Sequence, residues 1–276
     1  MRWFGAKTQT DVRTVDVEGQ VLRVGIRPGK GLPLLLFNGI GASFELLEPF
    51  TQSLGDLETI VFDVPGVGGS PVPRRPYRFS GLARLVDRML KQLGYEGEVD
   101  ALGVSWGGAA AQQFGHTCSE RCRRLILAAT TPGVLMIPGR LSLLRRMFDA
   151  RRYSDPEYLT RIAPELYGGA ARSERGLIME FAQHMRPPNR LGYLYQQMAF
   201  IGWTSLRWLR LLKQPTLVLA GNDDPLVPLS NGRILASLIP KARLHVVDDG
   251  HLFLMSSAQK VAPIVREFLG TAAEPQ

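Results

Sequence analysis

The chain has 276 residues, 45% of them hydrophobic and 21% charged, which is globular usage and excludes a disordered or fibrous protein. Such a length buries roughly 75% of the unfolded surface and supports a large core without staples, so the two cysteines, Cys118 and Cys122, read as reduced structural thiols. Lys and Arg outnumber Asp and Glu by 33 to 25, yet no nucleic-acid-binding motif accompanies the net charge of +8.

No apolar run approaches the ~20 residues of a membrane span, and Met1-Arg-Trp-Phe-Gly-Ala-Lys has no apolar signal core, which predicts a cytoplasmic protein. In chain order, Arg13 to Val17 and Gln20 to Ile26 read as two strands joined by a tight turn at Glu18-Gly19. Continuous apolar runs then end in glycine-rich turns. Leu34 to Phe37 enters Asn38-Gly39-Ile40-Gly41, Thr59 to Phe62 enters Asp63-Val64-Pro65-Gly66, and Val99 to Val104 enters Ser105-Trp106-Gly107-Gly108. Unbroken apolar strands belong in a sheet covered on both faces. The helical spacing of Leu82, Leu85, Val86, Met89, Leu90 and Leu93 supplies one covering helix, and Ala109 to Phe114 another. This alternation predicts an α/β fold, a mostly parallel sheet with helices on both faces.

After the run Leu125 to Ala129 the pattern changes. Pro132 to Trp208 holds 11 Arg, no Lys and 6 acidic residues, with 10 of the 23 aromatics and five of the eight Met. It reads as short helices broken at Pro138-Gly139, Pro164, Gly168-Gly169 and Pro187-Pro188, an insertion of the kind that builds a lid. The core would then comprise residues 1–131 and 209–276, and the cap residues 132–208. Strands resume at Thr216 to Ala220 and Arg243 to Val247, followed by an amphipathic helix from about Val261 to Leu269 and a tail from Thr271. Within the insertion, Leu141, Leu144, Met147 and Phe148 share helical spacing, with Arg145, Arg146, Arg151 and Arg152 largely on other faces. That pattern fits a basic helix docking on an anionic or granule surface, and equally a lid helix packing its apolar stripe on the core.

The chemistry starts at Gly103-Val104-Ser105-Trp106-Gly107, a G-x-S-x-G between strand and helix. In a nucleophile elbow the flanking glycines relieve a sharp turn that lifts the hydroxyl out of the sheet; a helix N-cap serine is the plainer alternative. A serine nucleophile needs a base, and the chain has four histidines. His245 lies within a strand, His116 at a helix end and His184 in the insertion. His251, in Asp248-Asp249-Gly250-His251, sits in a loop past the last strand, at the same sheet edge as Ser105. The loop Asn222-Asp223-Asp224-Pro225 offers two carboxylates for the orienting acid, whereas Asp248 and Asp249 lie too close in sequence to reach back to the ring. Asp224 is the choice because the proline fixes the backbone just after it. Asp223 is expected to face solvent or cap the turn. The order Ser105, Asp224, His251 is that of the α/β hydrolases. Gly39-Ile40-Gly41 and Gly66-Val67-Gly68 each start a dinucleotide fingerprint, but Phe44 and Pro71 occupy the third glycine position.

Asn38-Gly39-Ile40-Gly41-Ala42, Phe62-Asp63-Val64-Pro65-Gly66-Val67-Gly68-Gly69-Ser70, Gly103-Val104-Ser105-Trp106-Gly107-Gly108, Gly202-Trp203-Thr204-Ser205 and Asp248-Asp249-Gly250-His251-Leu252-Phe253-Leu254 together carry a family resemblance. Over about Arg13 to Leu269 the chain resembles the intracellular poly(3-hydroxyalkanoate) depolymerases of the medium-chain-length type. The resemblance implies an α/β-hydrolase fold with a helical cap over Ser105, Asp224 and His251. It also implies an oxyanion hole from the backbone N–H groups of Ile40 and Trp106, even though many relatives have His-Gly where this chain has Asn38-Gly39. The implied activity is hydrolysis of polyester inside the cell through an acyl-enzyme, with no metal or organic cofactor and with the granule or an acyl ester as partner. Related 3-hydroxyacyl transferases, which pass the acyl group to CoA or acyl-carrier protein, and a non-catalytic binding protein of the same fold are the alternatives.

Overall fold

Consecutive residues of the central apolar runs go to opposite layers of one sheet. Leu35 and Phe37 are buried in one cluster with Ile60, Ala101, Leu125 and Val218, while Leu34 and Leu36 join Val61, Leu102, Ile126 and Leu219 in another. The two-residue period of a strand splits an unbroken apolar run in this way. The structure, a computed structural model, describes residues 10–139, 143, 146, 149 and 151–270. Among them lies an eight-stranded sheet of β1 (Asp11–Val17), β2 (Gln20–Arg27), β3 (Lys30–Phe37), β4 (Leu57–Phe62), β5 (Val99–Val104), β6 (Cys122–Ala128), β7 (Thr216–Gly221) and β8 (Ala242–Val247). The spatial order is β1-β2-β4-β3-β5-β6-β7-β8, parallel from β4 to β8 with β1 and β2 antiparallel at one edge. This is the α/β fold expected from the sequence. Glu18 and Gly19 both take positive φ (53° and 83°), as a two-residue hairpin turn demands.

Helices α2 (Phe79–Gln92) and α3 (Trp106–Thr117) cover one face. Phe79, Leu82, Val86, Met89 and Leu90 put the apolar side of α2 into the core, each side chain contributing roughly 2 kcal/mol by burial. The short α1 (Glu48–Ser53) lies against the opposite face, a helix too short for periodicity to reveal. Cys118 is half-buried and Cys122 buried, both free, and burial pushes the Cys118 thiol up to about 11.

Between β6 and β7 the chain forms α4 (Arg151–Ser154), α5 (Pro156–Tyr167), α6 (Arg175–His184) and α7 (Arg190–Phe200). They enclose a third apolar cluster, in which Leu143, Leu159, Ile162, Leu166 and Phe181 pack with Leu46 and Leu226 of the sheet-edge loops. Most of the basic helix expected over 140–152 lies outside the described residues. Where it is described, one expectation is overturned: Arg152 is not on an outer face but 6% exposed, held by tyrosine hydroxyls. Arg151 is exposed and pairs with Asp149, and Arg146 pairs with Glu165. After β7 come α8 (Leu229–Leu238), α9 (Phe253–Ser256) and α10 (Ala258–Gly270); the last starts three residues before the expected Val261.

Helix α7 meets the loop after β4 through two glycines placed back to back. A Cβ on Gly192 would stand 2.1 Å from the Gly66 carbonyl oxygen, and a Cβ on Gly66 2.5 Å from the Gly192 Cα. Both obstacles are backbone, so neither side can yield cheaply. Gly192→Ala is therefore expected to cost about 1–3 kcal/mol by overpacking. A urea-denaturation midpoint that does not move would show that α7 can slide away from the loop.

Candidate active site

The segments that carry Ile40, Ser105, Asp224 and His251 follow β3, β5, β7 and β8, at the carboxyl edge of the parallel strands, the place where open α/β sheets bind ligands. Ser105 follows β5 directly, with φ 55° and ψ −120°, a conformation that a residue bearing a side chain rarely adopts. Three hydrogen bonds hold it there. Its N–H donates to Ala128 O (2.9 Å), and its carbonyl accepts from Gly108 N–H (2.9 Å) and Thr130 Oγ1–H (2.7 Å). Gly107 lets α3 begin hard against β3, since a Cβ there would lie 2.1 Å from Phe37 O.

His251 and Asp224 come from the loops after β8 and β7. The Asp224 carboxylate has no exposed surface and uses both oxygens. Oδ1 accepts from Leu226 N–H and Val227 N–H at 2.9 Å each, and Oδ2 accepts from His251 Nδ1–H at 2.7 Å. A carboxylate only accepts, so this contact fixes the proton on Nδ1 and turns a bare Nε2 toward the serine. Ser105 Oγ–H faces that nitrogen at 3.2 Å. The His251 backbone N–H donates to Tyr167 O at 2.7 Å, and the Tyr167 ring stacks on the imidazole with centroids 6.3 Å apart. The structure thus brings together the three side chains picked from the sequence. A hydroxyl beside an imidazole whose far nitrogen is held by a carboxylate can lose its proton as it attacks.

The remaining acids have other work. Asp249 receives Ala170 N–H, Gly250 N–H and the hydroxyls of Ser256 and Ser257. Burial pushes its carboxyl up, and those donors outweigh burial and hold it below the usual range. It locks the His251 loop rather than the ring. Asp223 faces solvent as expected, but it is paired there. It accepts from Arg172 Nε–H at 2.6 Å and Gly169 N–H at 2.7 Å, and Arg172 lowers its pKa. Asp63, in the second glycine motif, is fully buried and accepts from Phe44 N–H, Gly69 N–H and Arg23; burial raises its pKa. Of the other histidines, His116 stacks on Trp208 (4.4 Å), His184 is exposed and His245 lies on β8.

Ile40 and Trp106 both flank Ser105. The amide hydrogens of both residues find no acceptor among the described residues, and Trp106 opens the first turn of α3, where the helix dipole favours an anion. Asn38, in place of the histidine of many relatives, folds back on the turn: its Nδ2–H donates to Ser43 O and its Oδ1 accepts from Gly39 N–H, both at 2.8 Å. Sequence reading missed the groups that brace this turn from the insertion. Tyr153 Oη–H donates to Ile40 O (2.9 Å), Gly41 N–H donates to Gln196 Oε1 (2.8 Å), and Trp106 Nε1–H donates to Gln196 O (2.9 Å). Gln196 is wholly buried on the packed side of α7, beside Gly192 and Ala199, while Leu191, Leu194 and Met198 of that helix face outward, so its sequence pattern gives no signal for this role.

Ser105 and His251 open into a cavity of ≈ 90 Å³ whose walls include Leu46, Phe181, Met185 and Leu226, with Arg152 as a charged member. A larger open hollow of ≈ 590 Å³, lined by Tyr77, Phe79 and Trp203, holds neither Ser105 nor His251.

Comparisons with known proteins bear on the fold and the family. Residues 33–258 match the family model of the alpha/beta hydrolase fold. The chain is 55% identical over 260 residues to a poly(3-hydroxyalkanoate) depolymerase of Ectopseudomonas oleovorans, covering 93% of this chain and 92% of that one. A 2-hydroxymuconate semialdehyde hydrolase of Pseudomonas putida is 28% identical over 278 residues, with 93% and 95% covered. Among solved structures, the enol-lactonase of Burkholderia xenovorans LB400 superposes with a TM-score of 0.81 at 21% identity, over 94% of this chain and 100% of its own, a likeness of fold. A fold with this strand order, an elbow serine after β5 and 55% identity across nearly the whole length leave one assignment: the chain belongs to the α/β-hydrolase family, among its poly(3-hydroxyalkanoate) depolymerases.

Proposed function

We propose that the protein hydrolyses ester bonds of poly(3-hydroxyalkanoate) with medium-length side chains, inside the cell and at the granule surface. Ser105 Oγ attacks the ester carbonyl carbon while His251 Nε2 takes its proton. Asp224 holds the ring and stabilises its charged form, and the N–H groups of Ile40 and Trp106 receive the oxyanion. The His251 proton then passes to the departing alkoxide, and a water activated by the same nitrogen releases the 3-hydroxyacyl group. The observation that carries this reading is the unbroken hydrogen-bonded line from Asp224 through His251 to Ser105 at an apolar cavity. Residues 132–208 act as a cap over the core of 1–131 and 209–276. Among the described residues no helix is long and apolar enough to cross a membrane.

Granule contact is supported by the outer face of α7. Leu191, Leu194, Met198 and the following Ile201 are 44–74% exposed and repeat at helical spacing, an apolar stripe suited to an aliphatic surface. Replacing Leu191, Leu194 and Met198 with Gln is expected to cut cosedimentation with granules by about tenfold or more, and polymer turnover more than turnover of a soluble ester. Equal losses on both substrates would refute a granule-docking role. Hydrolysis itself is tested by incubating labelled medium-chain polymer granules with and without CoA. Free 3-hydroxy acids in both incubations are the expected products; 3-hydroxyacyl-CoA formed only when CoA is present would replace hydrolysis by acyl transfer.

A further inference from the structure

Arg152 carries a full positive charge into the wall of the Ser105 cavity, with no counter-ion among the described residues. It is 6% exposed. Its guanidinium donates to the hydroxyls of Tyr167 (3.2 Å), Tyr193 (3.4 Å) and Tyr153, and lies 4.1 Å over the Tyr153 ring. Its Nε–H is buried with no acceptor among the described residues. The neighbouring arginines Arg146, Arg151 and Arg172 each have a carboxylate, Glu165, Asp149 and Asp223 respectively; among the described residues none pairs with Arg152. Burial pushes the Tyr153 hydroxyl well above its usual range, so it is neutral and supplies no negative charge. A guanidinium surrounded by neutral hydroxyls is an expensive way to fill apolar space, which Leu or Met would fill at no such cost.

We propose that Arg152 binds the free carboxylate at the end of the polyester chain and so selects the ester that reaches Ser105. This rests on the ester-hydrolase reading above and deepens it. In a 3-hydroxyacid polyester every ester divides the chain into an acyl part ending in a hydroxyl and an alkoxy part ending in a carboxylate. A carboxylate held in this site therefore belongs to the leaving part. Arg152 donates to Tyr153 Oη, which donates to the Ile40 carbonyl in the oxyanion turn. The guanidinium is thus two hydrogen bonds from that turn, a reach comparable with one 3-hydroxyacyl unit. With the last ester in place, the Ser105 Oγ–acyl carbon bond forms and the acyl carbon–alkoxy oxygen bond breaks. The alkoxy oxygen takes the proton from His251 Nε2, and one 3-hydroxy acid leaves with its carboxylate. Cleavage then runs from the carboxyl end, unit by unit, and arginine is the side chain whose planar fork matches that group.

The test uses the 3-hydroxyoctanoate dimer with a free carboxylate and the same dimer ending in a neutral carboxamide. Wild-type protein is expected to prefer the acid by about 30-fold in kcat/KM, mainly through KM, as loss of a buried charge pair implies. Arg152→Gln should bring that ratio near one, and Arg152→Lys should keep part of it. Independently of turnover, calorimetry on Ser105→Ala protein should detect 3-hydroxyoctanoate but not its amide, with binding lost in Ser105→Ala/Arg152→Gln. A wild-type ratio near one with no carboxylate binding overturns the proposal, and cleavage of both dimers in that case leaves the ester-hydrolase reading standing. Carboxylate binding through Arg152 without cleavage of either dimer upholds the site and overturns the ester reading. If Arg152→Gln does not fold, the wild-type and Arg152→Lys ratios decide: a preference for the acid that Lys keeps in part upholds the site, and a ratio near one in both overturns it.

Discussion

Ser105→Ala is expected to fold normally, to lose ester hydrolysis by roughly four orders of magnitude or more, and to escape labelling by a fluorophosphonate. The fold survives because the Ser105 backbone, not its hydroxyl, is what the surrounding structure holds. Its amide and carbonyl bond to Ala128, Gly108 and Thr130, whereas Oγ meets only His251 Nε2 among the described residues. Alanine accepts φ 55° no worse than serine does. The chemistry, in contrast, has no substitute: a residual rate can come only from the oxyanion donors and from holding the ester in place. Undiminished labelling of the variant, with circular dichroism unchanged, would remove Ser105 from the nucleophile's role.

Asp224→Asn should cost roughly a thousandfold or more in the acylation rate, and Asp223→Asn less than about tenfold. Asp224 serves two sets of donors with two oxygens: the Leu226 and Val227 amides on Oδ1, the imidazole on Oδ2. Asparagine has one acceptor. Keeping its oxygen on the two backbone amides turns its NH₂ toward Nδ1, which then must accept, and the proton moves to Nε2, where it blocks deprotonation of Ser105. Asp223 is 44% exposed on its side chain and ends in an ion pair with Arg172, an interaction worth roughly 0–1 kcal/mol in such a position. Single-turnover acylation by a p-nitrophenyl ester ranks the two variants, and the reverse ranking would place the orienting carboxylate on Asp223.

Much of this protein is written locally. Strand, glycine turn and helix around Ser105 follow from residues within a few positions of one another. The two-layer division of Leu34 to Phe37 is simply the period of an extended chain. His251 stands apart from the other three histidines because it alone follows the last strand at the edge where Ser105 emerges. Only the packed chain decides the polar contacts made across the fold. Gly41 meets Gln196 from 155 residues away, and Ile40 meets Tyr153 from 113; neither pairing leaves a periodic trace. Arg152 shows the difference most sharply. Helical spacing puts it with Arg145, Arg146 and Arg151 on faces away from the apolar stripe, yet the folded chain buries it against three tyrosines beside the cavity. Periodicity reports how a helix divides apolar from polar residues about its own axis. Where those faces then point, and which hydroxyls or charges meet them, is set by the neighbours that the helix docks against.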